Sequence, residues 1–184
     1  MESTARFPAT SLVLAFCMIL APAIFARDAM GEGRPKGESY FKLQAGAVTS
    51  GGETDWSING VYGRYILNNV ALEGSVGYYS ADYSYGEQTV WPVSFSIKAG
   101  IPLDRFFPYG IAGVDVHFID ADQDGRSDSD TATGYHVGGG VEFSLSRNVY
   151  AGFEYRYTFM ETTLFGEEHD LDGGEGAFTL GFRF

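Results

Sequence analysis

The chain has 184 residues, a formal net charge of −12, 16% aromatic residues and a mean hydropathy of −0.08. That length suits one domain with a real core or one small barrel. The acidic balance argues against nucleic acid, which needs a basic surface, and past the first segment no apolar run reaches the roughly 18 residues of a membrane helix.

Residues 1–26 read as a secretory signal peptide. Arg6 supplies a positive start, Ser11 to Phe25 is a short apolar run, and Ala21, Ala23 and Ala26 are small residues suited to cleavage. The one cysteine, Cys17, lies inside that run, so no disulfide is expected in the exported chain. Residues 27–38 form a polar stretch with Gly31, Gly33, Pro35 and Gly37, read as a flexible linker. The remaining residues, 39–184, are expected to form the folded domain.

Eight strand candidates follow: Tyr40–Thr49, Trp56–Leu67, Val70–Ser80, Thr89–Gly100, Pro108–Ile119, Thr133–Leu145, Val149–Met160 and Ala177–Phe184. Most are close to the roughly ten residues that a tilted strand needs to cross a bilayer. Their side chains alternate. In the third, Val70, Leu72, Val76 and Tyr78 share one face while Glu73, Ser75 and Gly77 share the other. The fourth sets Val93, Phe95 and Ile97 against Ser94, Ser96 and Lys98, and the seventh sets Phe153, Tyr155 and Tyr157 against Glu154, Arg156 and Thr158. In the second strand the phase conflicts. An inward Arg64 would place Trp56 and Ile58 inside and Asn59 outside, unless a bulge intervenes. The last strand, FTLGFRF, keeps Phe178, Leu180, Phe182 and Phe184 on one face and Thr179 and Arg183 on the other. An ending flush on such a strand suits a wall between lipid and a polar interior better than a soluble terminus.

The connections alternate too. Asn68-Asn69, Ile101–Phe107 and Ser146–Asn148 are short, whereas Ser50–Asp55, Ala81–Gln88, Asp120–Ala132 and Glu161–Gly176 are polar loops. Short turns at one end and longer loops at the other mark an outer-membrane barrel with both termini on the periplasmic side. A soluble eight-stranded barrel would instead turn its apolar face inward. Three features favour the membrane form. Large charges lie on the polar face, glycines such as Gly138, Gly140, Gly152 and Gly181 are interspersed with them, and aromatics gather near strand ends. An unremarkable mean hydropathy is what such alternation produces. The expected fold is therefore all-β: an eight-stranded antiparallel up-and-down transmembrane β-barrel.

The segments PYGIAGVDV (Pro108–Val116), GYHVGGGVEFSLSRNVYAGFEYRYTF (Gly134–Phe159) and the closing FTLGFRF resemble the small outer-membrane β-barrel superfamily, which includes the transmembrane domain of OmpA and the OmpX-like and OmpW-like proteins. The resemblance spans essentially the whole chain after the signal. It implies the outer membrane of a Gram-negative-type bacterium, contact with lipid and lipopolysaccharide, and delivery by the barrel-assembly machinery. That machinery's recognition signal is matched by Phe182 and Phe184. A sequence ending on this strand is expected to lack the periplasmic cell-wall-binding domain of full-length OmpA.

The charges on the polar face are the main candidate site. Lys42, Arg64, Lys98, Arg156 and Arg183 face Glu73, Asp115, Glu142 and Glu154, a near balance. Charges in a narrow interior must pair, so an ion-pair network filling the lumen is expected. A structural or surface-interaction role by a monomer follows; the alternative is a narrow porin-like channel for ions or small solutes. Asp120, Asp122, Asp124 and Asp128 resemble the start of a calcium loop, though position twelve is Thr131 rather than a bidentate glutamate. No other cofactor is expected. His117 and His136 are read as lumen histidines near Asp115 and Glu142. No H-E-x-x-H, P-loop or G-x-S-x-G motif is present, and no enzyme activity is expected.

Overall fold

The computed structural model describes residues 34–184 except 51–52, 84–85, 124–125, 165–166 and 171. At 50, 53, 80–83, 86–88, 120–123, 126–130, 161–164 and 167–170 it describes the backbone alone. Residues 1–33, on which the expected signal peptide and most of the expected linker fall, lie outside the described residues.

The strands are β1 Ser39–Ser50, β2 Glu53–Leu67, β3 Val70–Tyr83, β4 Gly86–Gly100, β5 Phe106–Gln123, β6 Arg126–Ser144, β7 Val149–Leu164, β8 Glu167–Asp170 and β9 Gly173–Arg183. Each pairs antiparallel with its neighbour from β1 to β7. Closure comes from β9, which pairs with β1 from Tyr40↔Arg183 to Ser50↔Gly173 and with β7 from Val149↔Phe182 to Thr158↔Gly173. The short β8 pairs only with the upper end of β7, from Glu161↔Asp170 to Leu164↔Glu167. It is the outer continuation of β9, so the wall has eight strands. The Met160 amide donates to Asp172 Oδ1 at 3.1 Å beside the break between β8 and β9. Among the described residues there is no helix.

The strands run further outward than their hydrophobic alternation. The segment read as a loop at 120–132 is the paired tip of β5 and β6, with Gln123↔Arg126 the last pair. Much of 161–176 is also strand. Apolar alternation stops at the edge of the lipid, but backbone ladders continue wherever neighbours stay in register. The short ends are tight. Asn69 and Asp104 adopt positive φ (64° and 54°), a conformation their short polar side chains tolerate.

The faces are those of a barrel in lipid. Phe95 is 67% exposed and Phe178 74%, and Leu43, Trp56, Val76, Val114 and Leu180 are exposed with them. Lys42, Lys98, Glu142, Glu154 and Arg183 are buried. An apolar exterior around a charged interior reverses a soluble barrel and matches an outer-membrane wall. Arg64 is a correction to the sequence expectation. It is exposed on the outer face of β2, while Asn59, Val61 and Tyr65 point inward. The register irregularity falls between Tyr65 and Leu67, past Arg64, and so does not turn it inward.

Candidate functional site: a charged and closed lumen

The lumen is stacked in layers because every strand sends alternate residues inward. At the periplasmic end Tyr40, Tyr65, Ala71, Phe107, Tyr109 and Tyr150 form a buried aromatic floor. Residues 34–38 cross beneath it. The Arg34 amide donates to Asn69 Oδ1 at 2.8 Å, and the Asn69 amide donates back to the Arg34 carbonyl at 3.1 Å. The Arg34 guanidinium lies 5.2 Å from the Phe107 ring centroid and donates to Ser144 Oγ at 3.3 Å. The stretch read as linker therefore ends as a strap under the barrel.

Above the floor lies one connected ion-pair network. Lys42 Nζ stands 3.1 Å from Glu73 and 2.9 Å from Glu154. Lys98 Nζ stands 3.3 Å from Glu73 and also pairs with Glu142. Arg183 Nη2 reaches Glu142 at 3.0 Å, and Arg156 Nε reaches Glu154 at 2.8 Å. Neutral groups complete the shell: Tyr40 donates to Glu73 at 2.5 Å, Tyr109 to Glu154 at 2.7 Å, and Gln44 bridges Glu154 and Arg156. Aromatic faces support the cations, with Lys98 Nζ 4.3 Å from the Tyr109 centroid and Arg183 4.2 Å from that of Tyr150. Each buried charge thus has an opposite charge and further hydrogen bonds, the condition for keeping ions out of water.

Asp115 is not part of this network. Its carboxylate receives His136 Nδ1–H at 2.8 Å, and His136 Nε2 lies 3.0 Å from Ser96 Oγ. The order serine, histidine, aspartate is that of a hydrolase relay. However, Ser96, His136 and Asp115 are all buried and satisfy one another, which is the arrangement of a satisfied internal histidine. A cavity of about 50 Å³ lies further outward and is lined by Asn59, Ser94, Asp115, His117, Arg156 and Glu175 among others. Glu175 accepts from Ser57 at 2.6 Å and from Asn59 at 2.7 Å. Beyond it Val90, Ile119, Ala132 and Met160 form a buried apolar cluster.

Of the nine charges expected in one network, the structure joins Lys42, Glu73, Lys98, Glu142, Glu154, Arg156 and Arg183, sets Asp115 apart with His136, and places Arg64 outside. Sequence reasoning missed Arg34, Tyr40, Tyr109 and Glu175. Tyr40 and Tyr109 could have been found by continuing the alternation of Lys42 and Asp115 one step or more. Of the calcium candidates, Asp124 lies outside the described residues, and Asp120, Asp122 and Asp128 are described in backbone only. They stand on paired strands, with Asp128 in register with Ala121 rather than with another aspartate. Phe182 and Phe184 stand exposed on the outer face of the last strand.

An antiparallel eight-stranded wall with an apolar exterior and a charged interior is a transmembrane β-barrel of the outer membrane. Residues 9–184 match the family described as outer membrane protein beta-barrel domain, and the chain belongs to that family. Among curated proteins it is similar to a 22 kDa outer membrane protein of Rhizobium leguminosarum bv. viciae, at 30% identity over 135 residues. That match covers 72% of this chain and 60% of the relative. Among solved structures it is similar to Neisserial surface protein A, with a TM-score of 0.67 and 16% identity over 80% of this chain and 96% of that one. It is similar also to the N-terminal barrel domain of Pseudomonas aeruginosa OprF, with a TM-score of 0.59 and 14% identity over 82% and 100%. At these identities the solved structures speak for the fold alone. The family and the fold place the protein in a Gram-negative outer membrane.

Proposed function

We propose that this protein is a monomeric structural and surface-interaction barrel whose lumen is closed by its own ion pairs. The observation that carries the reading is the continuity of the plug. The chain of contacts runs from Arg183 through Glu142, Lys98, Glu73, Lys42 and Glu154 to Arg156 without interruption. Eight strands leave an interior just wide enough for side chains, and here charged side chains fill it. The barrel then serves as a stable wall that carries its outer hairpins above the lipid, next to lipopolysaccharide. Reconstitution into planar bilayers tests this: the protein should be silent, and large, stable open channels would overturn it.

A narrow channel for ions or small solutes is the second reading, favoured by the polar cavity at Asn59, Ser94, His117 and Glu175. It requires the network below to rearrange. Brief, small conductance steps that vanish when the network is stiffened would support it. Two partners extend the first reading. Phe182 and Phe184 serve as the signal for the barrel-assembly machinery, tested by the amount of heat-modifiable barrel in cells carrying Phe184→Ala. Asp120, Asp122, Asp124 and Asp128 bind calcium at the outer tip, tested by calorimetric titration, in which no heat at millimolar calcium would remove the idea.

A further inference from the structure

Among the described side chains, the exposed cations are Lys36, Arg64, Arg105 and Arg147, and all four sit at the periplasmic end. Lys36 is in the strap, where its amide donates to Asn68 Oδ1 in the β2–β3 turn. Arg105 and Arg147 are on the β4–β5 and β6–β7 turns. Arg64 is on β2 itself, in register with Ser39 and Leu72, close above the β2–β3 turn. Four positions, on the strap, on two turns and on β2, lie around the mouth. None of the four forms an ion pair among the described residues, unlike the cations inside the barrel.

The exposed apolar residues beside them fix their depth. Leu67, Leu103, Phe106, Leu145 and Phe184 are all exposed at the same end, so the apolar band of the wall runs right up to the ring of cations. A cation just beyond such a band stands at the level of lipid headgroups, and a long side chain such as that of Arg64 can extend its head to that level. The other end has the opposite character. In sequence, the outer hairpins carry Arg126 as their single Lys or Arg among many aspartates and glutamates. An acidic outer end and a basic inner rim give the barrel a charge asymmetry that no feature of the fold requires.

We propose that Lys36, Arg64, Arg105 and Arg147 form a binding ring for the phosphate groups of anionic phospholipids in the periplasmic leaflet. A guanidinium pairs with phosphate through two parallel hydrogen bonds, and each cation near an anionic surface strengthens binding by roughly fivefold. The ring selects lipids of net negative charge over zwitterionic ones and holds the barrel at a fixed depth.

The test measures the relative association of spin-labelled phosphatidylglycerol and phosphatidylcholine with the full barrel in mixed bilayers at low salt. The wild-type protein should prefer phosphatidylglycerol several-fold, and the preference should fall on raising salt to about 0.5 M. The triple variant Arg64→Gln/Arg105→Gln/Arg147→Gln should approach parity. Its folding is checked by heat-modifiability on a gel, and the single turn variants Arg105→Gln and Arg147→Gln should each lower the ratio by part of the full change. Equal association of the two lipids with the wild-type protein, or an undiminished preference in the folded triple variant, would overturn the proposal.

Discussion

Gly181 and Tyr150 fit together as socket and ring: a Cβ added at residue 181 would stand 2.1 Å from Tyr150 Cζ. The two are register partners on β9 and β7, and the tyrosine lies flat across the missing side chain at the floor of the lumen. Gly63 makes the same room for Tyr40, with a Cβ there 2.2 Å from its ring. Gly181→Ala should therefore destabilise the barrel by about 1–3 kcal/mol, the usual cost of overpacking. Gly60 faces outward, where a Cβ would meet nothing nearer than 3.8 Å. Gly60→Ala should be nearly neutral by comparison. Denaturant unfolding in vesicles, followed through the lipid-facing Trp56 and Trp91, reads both.

Glu142 is held by both Lys98 and Arg183. Glu142→Gln would leave Arg183 without its carboxylate partner and Lys98 with Glu73 alone, and a loss of about 3–5 kcal/mol is expected. Lys98→Met in the same chain should restore part of that loss, because it removes one of the two cations that Glu142 neutralised. A double-mutant cycle on the same unfolding assay measures the coupling. Additive losses would show that the two residues do not act as a pair.

Much of this lumen was legible in the sequence, and the exceptions have physical reasons. Lys42, Lys98, Arg156 and Arg183 stood in phase with their strands, so period-two alternation placed them inside. Arg64 misled because its charge was weighed above the phase that Trp56 and Ile58 had already set for β2. Glu175 was hidden among Gly173, Gly174 and Gly176, which have no side chains to display a phase. Arg34 left no periodic trace at all. Its place depends on Asn69, Phe107 and Ser144, partners remote in the chain that only the closed barrel brings together.

The position of Arg64 can be tested by energy as well as by lipid binding. Charges on the lipid face cost about 2–4 kcal/mol at the bilayer midplane and about 0–1 kcal/mol near the interfaces. Arg64 lies near the periplasmic interface, so Arg64→Leu should change stability by less than about 1 kcal/mol. Phe95 stands at the middle of β4, on the lipid face, and Phe95→Arg should cost the larger amount. Had Arg64 been part of the lumen network, its removal would cost as much as a buried ion-pair partner; a loss of that size in the unfolding assay would put the assignment of β2 in error.

Ser96 offers a way to ask whether the lumen opens. Its Oγ is hydrogen-bonded to His136, and it is buried below the cavity that Ser94 lines. The sequence has one cysteine, Cys17, ahead of the described barrel, so a thiol placed at 96 in a chain without residues 1–26 is a unique reporter. Ser96→Cys should resist a small charged thiol reagent in the folded barrel and react at once after denaturation. The reason is steric as well as electrostatic. The reagent would have to pass the apolar cluster of Val90, Ile119, Ala132 and Met160 from outside, or the strap, aromatic floor and ion pairs from the periplasm. Reaction in the folded state with a rate independent of denaturant would mean that these layers part in the native protein, and the channel reading would then displace the plug.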